Sequence, residues 1–499
     1  MISFEEFKKL AASYNVIPLT RSILADLQTP VSIYLTLRAD RSASFLFESV
    51  EPDETIGRRS FVGAGPEFIL KAQGDEVVTI SASGTRSGTG SMFDVVAESL
   101  STYRCAPLLD VDGFVGGYAG YIGYDCVRHI ERVTLPPPSP LSEPDALLGF
   151  FRSVAVYDHR CQKITLIRNV FIDPTLSLRQ QYDDGVKRLE ALELRLRASL
   201  VHRDNFQHRT NGHAAAHEKD QFCKAVSQAK RYIHEGDIFQ TVLSRRTQVG
   251  YTGDPFAVYR ALRVMNPSPY LFFVDFGETK LIGSSPEVLV RSRGGVAETF
   301  PIAGTRKRGV TEEEDCQRES ELLSDEKESA EHVMLVDLGR NDLGRFCEYG
   351  SVTVPVFKRV QRYSHVMHLV SQVRGNVSDG MSAVDVLKAC FPAGTVSGAP
   401  KIRAMEIISE LEKQRRGVYA GAVGYLGLDG SLDTCIAIRT IVAHRDTLSV
   451  QSGAGIVADS SPEKEFQETV DKAQVLMEAI NHAGNGMIHL MEKETAGIS

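Results

Sequence analysis

Apolar and polar positions change period several times along this chain. Residues 31–37 and 44–50 are short runs rich in β-branched and aromatic side chains, and glycine and proline punctuate 63–66. That pattern predicts strands joined by turns. The segment 113–123 (GFVGGYAGYIG) sets glycines between aromatics, which predicts a strand whose backbone lies close against another element. Its glycine spacing does not fit a G-x-G-x-x-G nucleotide loop. Prolines in 136–140 break regular structure, and a strand is expected to resume near 150–157. Residues 176–200 read as a long polar helix, and 201–218, without an apolar period, as an exposed linker.

Beyond the linker, 220–235 has the 3.6-residue period of an amphipathic helix, stopped by Gly236. Strands are expected at 238–243, 270–276, 279–283, 421–428, 436–443 and 448–454, with a closing helix at 462–480. Strand runs that follow one another through hairpin-like turns favour an antiparallel α+β architecture over a doubly wound parallel sheet. The organisation expected is an N-terminal domain at 1–200, a linker at 201–218, a second domain at 219–484 and a tail at 485–499.

Composition changes this picture little. The chain has 499 residues, 42% hydrophobic and 24% charged, with a net charge of −8. These values fit a globular protein with room for two cores and argue against a nucleic-acid binder, which needs a concentrated basic surface. The eight cysteines are scattered without a C-x-x-C pair, so they suggest neither a zinc ribbon nor a disulfide framework. The first ten residues carry Glu5 and Glu6 with no apolar h-region after them, and no apolar run approaches a membrane span. A cytoplasmic location with reduced thiols is expected. There is no tryptophan.

Five features could carry chemistry. Between Glu312 and Glu331 lie ten carboxylates, most of them suited to a solvated helix face. Glu328 and Glu331, three apart and leading into an apolar stretch, share one helical face. Glu465, Glu468 and Lys472 do the same at i, i+3 and i+7. Each set could be a surface pairing or half of a site for a hard cation such as Mg²⁺, which takes a few carboxylates and keeps waters. The turn at 391–400 followed by a helix could hold a small anion on exposed N–H groups or simply connect two elements; Lys401 is misplaced for a P-loop. Arg439, read in an apolar strand, needs an anionic partner from protein or ligand. His368 could be a base or a hydrogen-bonded core histidine.

Read in order, FLFESV, GDIFQTVLSRR, NPSPYLFF, IGSSPEVLV, FPIAGTRKRG, DEKESAEHVMLVDLGRNDLGR, RYSHVMHLVS, FPAGTVSGAPK, GVYAGAVGY, IAIRT and GAGIVADSSPEKEFQET resemble the chorismate-utilising enzymes, most closely the large subunits of anthranilate synthases. The resemblance implies two packed antiparallel β-sheets flanked by helices. It implies Mg²⁺ held by Glu331 and Glu468 with Glu328 and Glu465 in support, gripping the ring carboxylate of chorismate. Gly304, Thr305, Thr395, Gly453, Ala454 and Gly455 would line the substrate. Tyr419 and Arg439 would bind its enolpyruvyl carboxylate, and Lys472 would sit near the metal-bound one. Glu287 would be the general acid for the departing ring hydroxyl, and His368 would serve the elimination of pyruvate.

The same resemblance narrows the nucleophile. Relatives that add water carry a lysine where this chain has Gln240, and aminodeoxychorismate synthases carry one at Ala303. Neither residue here can activate water or attack a ring, so ammonia and anthranilate are implied. No G-x-C-x-G glutaminase signature occurs, which implies a separate glutamine amidotransferase subunit (component II) in a heterotetramer of two large and two small subunits. Feedback by tryptophan is implied at Ser49, Pro269, Tyr270 and Leu271. Next to that site the chain has Gly57-Arg58-Arg59-Ser60 where the family often has G-R-Y-S.

Overall fold

The computed structural model describes residues 1–38, 43–49, 58–108, 111–139, 142–198, 205–209, 215–362 and 366–485. Its core is two twelve-stranded sheets. Every pairing between their strands is antiparallel, as expected for an α+β chain. The first sheet runs from Val16–Leu24 through Lys163–Phe171, Ser153–Asp158, Arg59–Ala64 and Ser44–Glu48 to Tyr270–Asp275, Thr279–Ser285, Thr440–His444, Thr447–Ile456 and Gln240–Thr252. The second runs from Ile302–Lys307 through Val366–Asn376, Val296–Thr299, Val288–Arg293, Leu432–Ile436 and Ala422–Gly427 to Gly117–Ile122, Ala146–Phe151 and Phe68–Gln73.

The hydrophobic clusters define four layers. Phe45, Phe272, Val274 and Val442 of the first sheet pack against Ala119, Tyr121, Leu147, Val423 and Cys435 of the second, forming the inner core. The outer face of the first sheet is covered by helices that include Pro30–Arg38, Leu178–Leu196, Phe256–Met265 and Pro462–Gly484. Helices Met92–Ser101, Glu326–Gly344 and Ala383–Cys390 cover the outer face of the second. Inner strands are therefore covered on both sides, and Gly117–Ile122 and Ala146–Phe151 are buried at every position.

Both sheets take strands from each side of the expected boundary at 201–218. Ser44–Glu48 pairs with Tyr270–Asp275, and Gly117–Ile122 pairs with Ala422–Gly427. The two halves thus share their sheets instead of each closing its own core. Residues 201–204 and 210–214 of the expected linker, and the tail from 486 onward, lie outside the described residues.

Three sequence expectations need correction. Residues 31–37 are helical, within Pro30–Arg38. The Ser32 N–H donates to Thr29 Oγ1 (3.2 Å) while the Thr29 N–H donates to Ser32 Oγ (2.9 Å), with proline in the first turn. This reciprocal cap outweighs the β-branched composition. The strand expected at 150–157 is two strands in different sheets, Ala146–Phe151 and Ser153–Asp158, with the crossing at Arg152. The strand expected at 436–443 is likewise divided, Leu432–Ile436 in the second sheet and Thr440–His444 in the first.

The glycine-rich strand does make the close approach its sequence suggests. A Cβ on Gly117 would lie 2.4 Å from the Leu426 carbonyl oxygen, and its φ is +126°. Gly430, at φ +79°, has open space around it. Gly117→Ala is therefore expected to cost about 3 kcal/mol or more, from strain plus a backbone clash. Gly430→Ala should cost about 1 kcal/mol from strain alone. Denaturant midpoints of the two variants check this; equal shifts would remove the clash from the account.

Candidate active site

Two places where the chain changes sheets build the main cavity. One lies between Thr279–Ser285 and Val288–Arg293, at Pro286 and Glu287; the other lies between Leu432–Ile436 and Thr440–His444, at Ala437, Ile438 and Arg439. The crossings are tied to one another. The Ile436 N–H donates to the Glu287 carbonyl (3.0 Å), and the Ser284 N–H donates to the Arg439 carbonyl (3.1 Å). Arg439 takes a left-handed backbone, φ +50°, which a continuous strand would not allow.

The cavity has a volume of about 220 Å³ and is lined by Gln240, Glu287, Thr305, Glu331, His368, Thr395, Tyr419, Arg439, Gly453, Gly455 and Lys472, among others. These are residues the sequence singled out, brought together from both sheets and three helical segments. Gly304 contributes its carbonyl, which accepts from His368 Nδ1 at 2.9 Å. Ala454 does not face the cavity. Strand alternation turns it into an apolar cluster with Phe222, Leu243 and Ile408 while its glycine neighbours line the space. Of the turn before helix Lys401–Glu412, only Thr395 and Val396 reach the cavity, and Lys401 is held by Asp342 (2.9 and 3.0 Å).

Burial sets the charge states. It pushes the Glu287 carboxyl from an ordinary 4.5 up to about 7, against the smaller opposing effects of the Thr395 hydroxyl, Lys472 and Arg439. Burial lowers His368, with Arg439 adding to the effect and the Gly304 carbonyl opposing it. Because that carbonyl can only accept, the proton sits on Nδ1, leaving Nε2 as the basic nitrogen. Burial also lowers Arg439. Among the described residues no hydrogen bond or ion pair engages its guanidinium.

The four glutamates gather at the mouth of the cavity; the apolar stretch after Glu331 suggests that Glu328 and Glu331 enter the core, and they do not. Glu331 and Glu468 are exposed, and Glu328 and Glu465 half-buried. Burial and then Glu328 raise the Glu331 carboxyl, with Glu468 adding to the rise and Lys327 and Lys472 opposing it. Lys472 pairs with Glu468 at 2.6 Å and donates to the Gly453 carbonyl at 3.1 Å. Among the described residues no three metal-ligating side chains converge. The set is one of mutually repelling carboxylates from two helices. It fits a hard cation that keeps waters and completes its shell from a ligand, and not an all-protein cage.

The sequence missed several lining residues. Gln451 and Ser452 come from the strand before Gly453, and Ile438 and Leu476 supply apolar wall. Only the polar pair stands out from its neighbours in the sequence.

A second cavity of about 70 Å³ opens between the sheets and is lined by Ser49, Pro269, Tyr270 and Leu271 together with Arg59, Tyr425, Asp433 and Cys435. The Ser49 hydroxyl is buried without a hydrogen-bond partner among the described residues. Tyr270 donates its hydroxyl to Asp433 (2.6 Å), which also holds Arg291 (3.1 Å). Arg59, the departure noted in the sequence, faces this cavity and bonds the Asp112 carbonyl (2.6 Å).

Residues 95–478 match the model of the chorismate binding enzymes. The chain belongs to that family and is an enzyme of it. Its relatives include anthranilate synthase component 1 of Acetivibrio thermocellus, 44% identical over 490 residues, 97% of this chain and 99% of the relative. The same-named protein of Aquifex aeolicus is 45% identical over 497 residues, 97% of this chain and 98% of the relative. The crystal structure of anthranilate synthase component I from Streptococcus pneumoniae superposes with a TM-score of 0.72 at 37% identity, covering 91% of this chain and 98% of that one. The menaquinone-specific isochorismate synthase of Escherichia coli shares the fold, with a TM-score of 0.69 at 21% identity over 96% and 98% of the two chains. No helix among the described residues is long and apolar enough to cross a membrane.

The raised Glu287 carboxyl has a measurable cost. Near pH 4 it is protonated in folded and unfolded chains alike. As the pH climbs to about 7, the unfolded chain ionises while the folded one holds its proton, so stability is lost over that window. Glu287→Gln, which cannot ionise, should show no pH-dependent gain over the parent near pH 4 and gain up to about 3 kcal/mol on it by pH 8. Urea melts of both across that range check this; a difference that stays constant with pH would rule it out.

Proposed function

We propose that this chain is the large subunit of an anthranilate synthase, converting chorismate and ammonia to anthranilate, pyruvate and water in the first committed step of tryptophan biosynthesis. The observation that carries this reading is the unpaired Arg439 guanidinium facing the cavity with Glu287, which holds its proton near neutrality, on the linked crossing. A buried cation without an anion calls for an anionic ligand. A protonated carboxyl beside it supplies the acid that a departing hydroxyl needs.

In this mechanism Arg439 and Tyr419 hold the enolpyruvyl carboxylate, and Thr305, Thr395 and the backbone at Gly304, Gly453 and Gly455 shape the ring's surroundings. Glu331 and Glu468, supported by Glu328 and Glu465, would hold Mg²⁺, which supplies a counter-charge for the ring carboxylate when bound. Ammonia forms the new C–N bond while Glu287 protonates the ring hydroxyl, which leaves as water. His368 Nε2 then takes a ring proton, the enolpyruvyl C–O bond breaks, and pyruvate departs as the ring becomes aromatic. Gln240 offers no base for water and Ala303 no nucleophile, which leaves ammonia as the attacking group.

Ammonia would come from a separate glutamine amidotransferase subunit, in a heterotetramer of two large and two small subunits in the cytoplasm. The component 1 names of the relatives support a second component. Tryptophan would bind the smaller cavity at Ser49, Pro269, Tyr270 and Leu271 as a feedback inhibitor.

Incubation with chorismate, Mg²⁺ and ammonium salts should yield fluorescent anthranilate and equimolar pyruvate. Aminodeoxychorismate accumulating without pyruvate would overturn the assignment. Glu468→Gln should retain the fold and lower turnover roughly a hundredfold or more, the scale of a lost charge-stabilising group. Tryptophan should inhibit the parent, and Ser49→Phe, which fills the smaller cavity, should raise the inhibitory concentration at least about tenfold, a modest 1.4 kcal/mol in binding. Unchanged inhibition in that variant would move the effector elsewhere.

A further inference from the structure

Arg416 is a large charged side chain held almost wholly out of solvent, 1% exposed, and none of the steps above uses it. It follows the C-terminus of helix Lys401–Glu412, which ends at Lys413 in a left-handed conformation. Four N–H donors of its guanidinium are engaged. Nε and Nη2 reach the two oxygens of Glu412 (3.0 and 2.7 Å), Nη1 the Val396 carbonyl (2.7 Å) and Nη2 also the Val242 carbonyl (2.6 Å). The same guanidinium also lies over two aromatic rings, with Cζ 4.9 Å from the Tyr124 centroid and 5.5 Å from that of Tyr419.

Its partners are walls of the substrate cavity. Val242, Val396 and Tyr419 all line it, and Val396 follows Thr395 in the same helical turn. Glu412 extends the connection, accepting from the N–H and hydroxyl of Ser244 (2.7 and 2.9 Å). Ser244 in turn accepts from the amide of Gln451 (2.8 Å), another lining residue. Four wall positions from four different segments therefore refer back to one buried ion pair.

Stability does not account for such a pair. Removing both charges from water costs about what their attraction returns, and apolar residues of similar volume are commonly as stable or more so. What an apolar pair cannot supply is a planar fork with fixed bond directions. We propose that Arg416, held by Glu412, is a positioning residue for chorismate binding: it fixes the ring plane of Tyr419 and the Thr395–Val396 turn. The proposal rests on the cavity being the chorismate site.

The test compares Arg416→Lys with the apolar pair Arg416→Met/Glu412→Leu in the full chain. Readouts are steady-state kinetics with chorismate and ammonia, melting temperature, and amide hydrogen exchange over 394–396 and 417–421. The expected result is KM for chorismate raised about tenfold or more, kcat within about threefold, and exchange increased in those two segments only. Lysine, keeping charge without the fork, should recover part of the loss. Tyr419→Phe should add less in the Arg416→Lys background than in the parent. Parental KM in both variants would overturn the proposal. So would activity lost in step with melting temperature and with exchange rising throughout the chain, because that is a purely structural role. If the parent itself fails to turn over chorismate, the functional reading falls, whereas locally confined exchange would still assign Arg416 its positioning role.

Discussion

The site depends on two backbone hydrogen bonds that join one sheet crossing to the other. Ile436 to Glu287 and Ser284 to Arg439 hold together segments about 150 residues apart in sequence. Each bond is worth only about 1 kcal/mol net. Their role is geometric, since a crossing breaks the strand ladder and releases one or two side chains from the alternation that would bury them or turn them to solvent. Glu287 and Arg439 are such released side chains. The left-handed backbone of Arg439 is the local strain this placement entails.

The same geometry explains the charges. Neither Glu287 nor Arg439 can relieve its burial by pairing with the other, because each is directed into the cavity from its own crossing. Burial acts on both, raising the acid and lowering the cation, while their mutual attraction is a minor contribution to Glu287. A site arranged this way holds an acid in its neutral form and a base in its charged form side by side. Direct ion pairing would have cancelled both. At the mouth the problem is reversed. The glutamates of helices Glu326–Gly344 and Pro462–Gly484 repel one another, with Lys472 and Lys327 as partial counter-charges.

The two cavities share structure as well as fold. Tyr270 of the smaller cavity is the register partner of Ser285, and Leu271 of Ser284, the residues that lead into the Glu287 crossing. Asp433 and Cys435, also on the smaller cavity's wall, precede Ile436 on the strand that leads to Arg439. The strands that line or flank the smaller cavity thus run directly into the crossings whose residues, Glu287 and Arg439, line the larger one.

How much of this was legible in the sequence follows from range. The helix at Pro462–Gly484, the strands at Tyr270–Asp275 and Thr279–Ser285, and the close approach of the glycine strand are written in local period and local sterics, which place them near their true bounds. Glu287 and Tyr419 are named only through resemblance to a family; Arg439 and His368 stand out by residue type, but nothing local marks the four as neighbours. The apolar run around Arg439 looks like one strand because burial is alike on either side of a crossing. Only pairing to different sheets separates Leu432–Ile436 from Thr440–His444, and pairing is a property of distant partners. Ala454 looks like part of the site for the converse reason. A motif names consecutive residues, but in a strand consecutive residues face opposite sides, so the glycines that flank Ala454 reach the cavity and it cannot.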